Sequence, residues 1–293
     1  MTTGMDDGAP QGYPRKPEWL KVRLPGGPAY NRVRDALEGK GLHSVCREAR
    51  CPNMTECFDA GTATFLILGN TCTRNCRYCH VAHGVPDSVD VNEPARLAEA
   101  VESLNLDYVV ITSVTRDDLP DGGAAHFVAC IEMIRARRPR GRIEVLIPDF
   151  QGDAAALNEI IRARPDVINH NMEVVPSLYP QLRPQGDYGR SITLLQRVHE
   201  AGGIVTKSGF MIGFGEDPGD IEGLLADLAA VHCRRVTIGQ YQRPTARHWP
   251  VAKYYDPDEF AAIRRKALSM GFDHVASGPL VRSSYHAGLE VQN

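Results

Sequence analysis

The chain has 293 residues, 43% hydrophobic and 24% charged, which is enough apolar material to fill a core and excludes disorder as the dominant state. Its 33 basic and 36 acidic residues leave a net charge of −3, without the basic footprint of a nucleic-acid binder or a polybasic membrane anchor. The longest apolar runs, such as 65–68, fall far short of the ~20 residues that cross a bilayer. The N-terminus, with Asp6 and Asp7 and no apolar stretch, predicts neither a secretory signal nor a transit peptide.

Residues 1–15, rich in glycine and proline, read as a disordered N-terminus. The segment 16–60 holds a short helical stretch over 32–38 and a first group of cysteines. From residue 64 the chain alternates. Short β-branched or aliphatic runs predict strands over 64–68, 108–112, 143–147, 167–169, 204–208, 236–239 and 274–276. Between them lie stretches of helical period, with Phe127, Val128, Ile131 and Ile134 on one face and Ile221, Leu224, Leu225 and Leu228 on another. Asp217-Pro218 and Asp256-Pro257 have the form of N-cap and first-turn pairs, and Gly271 stands where a glycine would end the last helix. This order predicts an α/β fold with a parallel sheet, compatible with a doubly wound sheet or a partial barrel. Polar residues end three strands, at Thr112-Ser113, Asn169 to Asn171 and Lys207-Ser208, where either architecture places its ligand.

Six of the eight cysteines fall between Cys46 and Cys79. Clustering in a chain without a secretory signal reads as metal or redox ligation in a reducing, cytoplasmic compartment; Cys130 and Cys233 stand alone and read as buried small hydrophobes. Cys72, Cys76 and Cys79 form C-x3-C-x2-C directly after the first strand. Thiolates are soft ligands that suit zinc or iron–sulfur clusters, and three on a four-iron cluster leave one iron open. A zinc loop borrowing His80 or His83 is the alternative. The second group, Cys46, Cys51 and Cys57, is again three thiols without an obvious fourth, and two incomplete sets within 34 residues suggest two clusters over one pocket.

The C-x3-C-x2-C pattern, with Tyr78 before its last cysteine, resembles the radical S-adenosylmethionine superfamily. Beyond it, the runs 45–57 (VCREARCPNMTEC), 63–81, 111–123 (ITSVTRDDLPDGG), 169–173 (NHNME), 207–216 (KSGFMIGFGE), 237–241 (TIGQY) and 278–287 (GPLVRSSYHA) resemble the lipoyl synthase family over nearly the whole chain. The resemblance implies a partial (β/α)6 TIM-type barrel over 61–280. It also implies an N-terminal extension over 16–60 carrying an auxiliary [4Fe-4S] cluster and a tail over 281–293 closing the site. It implies a radical cluster on Cys72, Cys76 and Cys79 that binds S-adenosylmethionine. The auxiliary cluster would be held by Cys46, Cys51, Cys57 and a serine oxygen, placed at Ser284 with Ser283 as the alternative. Oxygen is a poorer partner than thiolate for a soft cluster, which suits a cluster meant to be dismantled as a sulfur donor.

The implied reaction inserts two sulfur atoms at C6 and C8 of an octanoyl chain amide-linked to a lysine of a lipoyl carrier, such as an E2 subunit or the glycine-cleavage H protein. Other implied partners are an electron donor such as ferredoxin or flavodoxin and a cluster-repair protein. A radical enzyme using its second cluster only for electron transfer is the alternative, and a zinc-stabilised binding module lies outside enzymology. Asn171 and Glu173 are expected to contact S-adenosylmethionine, or else to form a polar layer inside the barrel. Arg183 and Lys207 would bind the cofactor carboxylate or the carrier peptide, or form surface salt bridges. Gly209, Gly213 and Gly215 lack a dinucleotide fingerprint and read as close packing against adenine. His170 reads as structural. Asn70, His80, Thr115 and Gln242 depart from the family pattern.

Overall fold

The computed structural model describes residues 15–22, 27–59, 63–285 and 287; residues 1–14 of the expected disordered segment 1–15, the expected boundary at residues 60 and 61, and residues 286 and 288–293 of the expected tail lie outside the described residues. Its strands are β1 (His43–Ser44), β2 (Thr64–Ile67), β3 (Thr71–Cys72), β4 (Ala82–His83), β5 (Tyr108–Ser113), β6 (Arg142–Leu146), β7 (Val167–Asn169), β8 (Val205–Ile212), β9 (Arg235–Gln240) and β10 (His274–Gly278). Its α-helices are α1 (Pro28–Glu38), α2 (Val45–Glu48), α3 (Met54–Asp59), α4 (Glu93–Ser103), α5 (Ala124–Arg137), α6 (Ala154–Arg162), α7 (Tyr179–Leu182), α8 (Tyr188–Ala201), α9 (Pro218–Ala230) and α10 (Pro257–Ser269).

The main sheet runs β1-β2-β5-β6-β7-β8-β9-β10. From β2 onward every neighbour is parallel, and every crossover carries a helix. A doubly wound sheet reverses its strand order part-way; this one never does. The expected partial barrel is therefore the architecture. β1 adds antiparallel to β2, and β10 pairs with β9 alone, so among the described residues the sheet keeps two edges.

Local chemistry explains the elements. Val109, Val110 and Ile111 in β5 are buried in succession, as a parallel strand covered on both faces requires. Phe127, Ile131 and Ile134 are fully buried on α5. Asp256 accepts from Glu259 N at 2.8 Å while the Glu259 carboxylate accepts from Asp256 N at 2.9 Å, a reciprocal cap with Pro257 in the first turn. Asp217 and Pro218 open α9 in the same way. Gly271, at φ +100°, follows α10. β8 runs four residues beyond its expected end at Ser208. A Cβ at Gly209 would collide with Thr237 Oγ1 and Asn171 Oδ1: the backbone needs glycine to approach β9 and the segment after β7 so closely.

The extension does not have a core of its own. Val33, Leu37, Leu42 and Phe58 pack into the same apolar cluster as Phe65, Ile67, Ile111 and Ile131. This mounts the first cysteine group rigidly on the edge of the barrel.

Candidate active site

Cys72, Cys76 and Cys79 lie on the loop after β2, at the carboxyl end of the sheet. The loop is pinned on all sides. Cys72 Sγ accepts from Arg74 N and Thr115 N, both at 3.4 Å, Thr73 N donates to Thr115 O, and Arg77 N donates to Leu182 O. His248 Nε2 stands 3.0 Å from Cys79 O. Thr115 uses its backbone for these contacts, so its departure from the family pattern leaves them intact. Tyr78 meets Phe214 edge-on, and Phe214 stacks on Tyr241 at 4.1 Å. Burial, with repulsion from Cys76 and Cys72, pushes the Cys79 thiol up to about 12.

Cys46, Cys51 and Cys57 form a second group, while Cys130 and Cys233 are buried elsewhere. Burial, followed by repulsion from Cys51, raises Cys46 to about 12. Burial also raises Cys51, against the Arg282 charge that favours its thiolate. The C-terminal tail crosses beside them. Asn53 Nδ2 donates to Leu280 O at 2.5 Å, the Tyr285 hydroxyl donates to Glu56 Oε1 at 2.9 Å, and the Thr64 hydroxyl donates to Ser284 Oγ at 2.7 Å. Ser283 faces elsewhere, accepting from Asn171 Nδ2 at 2.6 Å.

Between the groups lies a cavity of about 290 Å³ lined by Asn171, Glu173, Gly209, Thr237, Arg282 and Ser283. Asn171 Nδ2 also donates to Glu173 Oε1 at 2.9 Å. Alternation continues past β7: Met172 and Val174 enter the core while Asn171 and Glu173 line the cavity. Glu173 has a left-handed backbone, φ 67°, held by bonds to Gly209 O and from Met211 N; such strain in a non-glycine residue is a feature of functional sites. Burial raises the Glu173 carboxyl, against the Arg183 charge. His170 points away, between Ile147 O and Ser191 Oγ.

Three expectations need correction. Arg183 and Lys207 make no surface salt bridges. Arg183 is buried, its guanidinium donating to the carbonyls of Asn171 and Met172, each at 3.1 Å. Lys207 is wholly buried and pairs with Glu144 at 3.3 Å, whose carboxylate also accepts from Asn169 Nδ2 and the Tyr108 hydroxyl. Its ammonium is thus committed inside the barrel. Of the three glycines, only Gly209 lines the cavity; a side chain at Gly213 would meet Gln240 and the Lys253 carbonyl, so it packs against protein.

Sequence reasoning missed two groups. Arg282 feels both Cys51 and Glu173 and so links the two thiol groups; its only signal was its place beside the serines. Arg74, inside the cysteine loop, pairs with Asp117 at 2.7 Å and with the fully buried Asp149 at 2.6 Å. Burial opposes ionisation of Asp149, yet the Arg74 hydrogen bond and charge hold its carboxyl at about 2.

The donor sets suit iron–sulfur clusters. Among the described residues no three His, Cys, Asp or Glu side chains converge to hold a single metal ion, and each set offers three thiols, the soft donors that iron–sulfur clusters take. A cluster spreads its thiolates over separate irons. Buried Asn171 Oδ1 and Arg183 Nε lack hydrogen-bond partners, as expected of groups that await a polar ligand.

The model of the Radical SAM superfamily matches residues 66–228, and that of the N-terminal domain of lipoyl synthase matches residues 8–51. Lipoyl synthase of Rubrobacter xylanophilus is 52% identical, over 95% of this chain and 87% of its own length. That of Nitratidesulfovibrio vulgaris is 54% identical, over 93% and 91%. The crystal structure of Streptococcus suis SuiB bound to S-adenosylmethionine superposes with a TM-score of 0.58 at 12% identity, over 73% of this chain and 49% of that one. Methylornithine synthase gives 0.52 at 13%, over 84% and 81%. These two likenesses concern the fold alone. With half its residues shared with lipoyl synthases along almost their full length, this chain belongs to the lipoyl synthase family of radical S-adenosylmethionine enzymes.

Proposed function

We propose that this chain inserts sulfur at C6 and C8 of an octanoyl group amide-linked to a lysine of a lipoyl carrier domain. The observation that carries this reading is that two separate thiol groups flank one cavity lined by Glu173 and Arg282, with the Arg282 charge felt at Cys51 and the Glu173 charge at Cys76. When bound, the two [4Fe-4S] clusters and S-adenosylmethionine supply a carbon radical able to take hydrogen from an unactivated carbon, and the sulfide that replaces it.

The chain's own residues hold, orient and enclose. Cys72, Cys76 and Cys79 hold the radical cluster; Cys46, Cys51, Cys57 and Ser284 hold the auxiliary one. The Glu173 carboxylate, steadied by Asn171, suits the ammonium or ribose hydroxyls of S-adenosylmethionine, and the buried Arg183 Nε suits its carboxylate. Residues 280–285 tie the tail to the extension and the barrel, which keeps water and stray hydrogen donors from the reacting carbon. The substrate bond gives acid–base chemistry no purchase, so no general base is needed.

Carrier domains of the E2 and H-protein kind are the substrates, a ferredoxin or flavodoxin the electron donor, and a separate protein rebuilds the auxiliary cluster. A reducing cytoplasm suits clustered thiols that serve as metal ligands. No helix among the described residues is long and apolar enough to cross a membrane.

The test is to incubate reconstituted protein with S-adenosylmethionine, dithionite and an octanoyl-lysyl peptide, and to read product mass. The expected product carries two sulfurs. Formation of 5′-deoxyadenosine with a substrate that loses hydrogen but gains no sulfur would point to a second cluster used for electron transfer.

A further inference from the structure

The cysteine loop borders a second opening besides the inner cavity. An open groove of about 1840 Å³ runs between this loop and the segment after β9; Cys76 and Cys79 line it, with Arg77 on one wall and Arg247 and Trp249 on the other. No aspartate or glutamate lines it, in a chain where acidic residues outnumber basic ones by 36 to 33. Arg77 and Arg247 are exposed, and among the described residues neither guanidinium has a hydrogen-bond or ion-pair partner. Val85, two residues beyond the groove-lining His83, is 95% exposed. Positive charge without a partner on both walls of a groove that no carboxylate lines suits a protein partner of opposite charge. The rest of the chain, being net acidic, repels such a partner and so guides it here.

We infer that this groove docks an acidic one-electron carrier protein, which delivers its electron through the Cys76 and Cys79 side of the loop. The inference rests on the proposed radical chemistry. The step is a transfer of one electron: the reduced carrier loses it and the cluster held by Cys72, Cys76 and Cys79 gains it, with no atom or proton exchanged. The two positive walls orient the partner, and the route leaves the inner cavity closed around the substrate.

The experiment uses the holoenzyme and an acidic flavodoxin as probe. Binding is measured by titration calorimetry at low and high salt, and S-adenosylmethionine cleavage is driven either by reduced flavodoxin or by dithionite. Arg247→Glu should weaken flavodoxin binding about tenfold or more and slow flavodoxin-driven cleavage in step, while dithionite-driven cleavage stays at the wild-type rate. Arg247→Lys should keep most binding, and Arg77→Gln should weaken it further in combination with Arg247→Glu. Unchanged flavodoxin affinity in Arg247→Glu overturns the inference. So does a variant that cleaves normally with both reductants but loses sulfur insertion only on the folded carrier domain, since the groove would then dock the substrate protein. If the wild type cleaves nothing with dithionite, the proposed function falls, while loss of flavodoxin binding in Arg247→Glu still supports the surface.

Discussion

The Thr64 hydroxyl donates to Ser284 Oγ across 2.7 Å, and the backbone of the same Thr64 reaches the Cys46 thiol. The neighbouring Ser283 instead takes a hydrogen bond from Asn171. Two adjacent serines thus make different contacts, and Ser284 is the one that shares Thr64 with Cys46. Ser284→Cys offers iron a softer, stronger ligand in nearly the same volume; it should keep full iron content and lose most sulfur insertion. Ser284→Ala should fail to deliver both sulfurs, whereas Ser283→Ala should keep iron at both sites. Product per chain in a single turnover, with iron and sulfide measured in parallel, checks this; normal product from both Ser284 variants would reduce it to a turn residue.

The two thiol groups should separate cleanly by substitution. Cys76→Ala is expected to abolish reductive cleavage of S-adenosylmethionine. Cys51→Ala should leave cleavage largely intact and stop sulfur insertion, because it removes the donor and keeps the initiator. Measuring 5′-deoxyadenosine and thiolated product in the same reaction distinguishes the two, and thiolated product from Cys51→Ala would place the sulfur source elsewhere.

Arg74 stiffens the cysteine loop from below through Asp117 and Asp149, and Arg190 adds a second cation on Asp149 at 3.1 Å. Removing one partner of such a buried pair costs about 3–5 kcal/mol. Arg74→Gln should therefore lower the unfolding temperature and reduce iron at the radical site, read by electron paramagnetic resonance of the reduced protein, while the auxiliary cluster stays loaded. Equal loss at both sites would mean general unfolding.

The Lys207–Glu144 pair, fully buried, should behave as architecture. Lys207→Met leaves a carboxylate uncompensated and should destabilise by about 3–5 kcal/mol. Adding Glu144→Gln should restore much of that, the coupling expected of residues in direct contact. The affinity of the folded double variant for S-adenosylmethionine should match wild type; a large fall would return Lys207 to the cofactor.

His170 donates from Nδ1 to the Ile147 carbonyl at 2.8 Å, and burial, followed by the Arg183 charge, holds its pKa at about 4 against 6.5 in the unfolded chain. Between these values the unfolded state binds a proton that the folded ring refuses. Stability from this group is therefore complete above pH 6.5 and is lost as pH falls toward 4, by at most ~1.4 kcal/mol per pH unit. His170→Gln should flatten the acid side of the unfolding-midpoint curve. Parallel curves for the two proteins would show an ordinary histidine.

By itself the sequence determined whatever is local. Cys72, Cys76 and Cys79 sit within eight residues, so no folding is needed to bring them to one loop. The caps at Asp217 and Asp256 and the buried faces of α5 and α9 follow equally from short-range spacing, because hydrogen bonds and helical period act over three or four residues. The strand–helix alternation announced a parallel sheet, but not its winding. The order of strands depends on which edges meet, and that was left to the packing of the whole core.

Only the tertiary structure decided the rest. Lys207 found Glu144 from 63 residues away, and the tail found the extension through Asn53–Leu280 and Glu56–Tyr285 contacts spanning 227 and 229 residues. Nothing in a run of Arg282-Ser283-Ser284 tells which serine turns to Thr64 and which to Asn171. Successive side chains diverge, and the direction each takes is set by the path of the backbone, which brings Ser283 to Asn171, 112 residues away, and Ser284 to Thr64, 220 residues away.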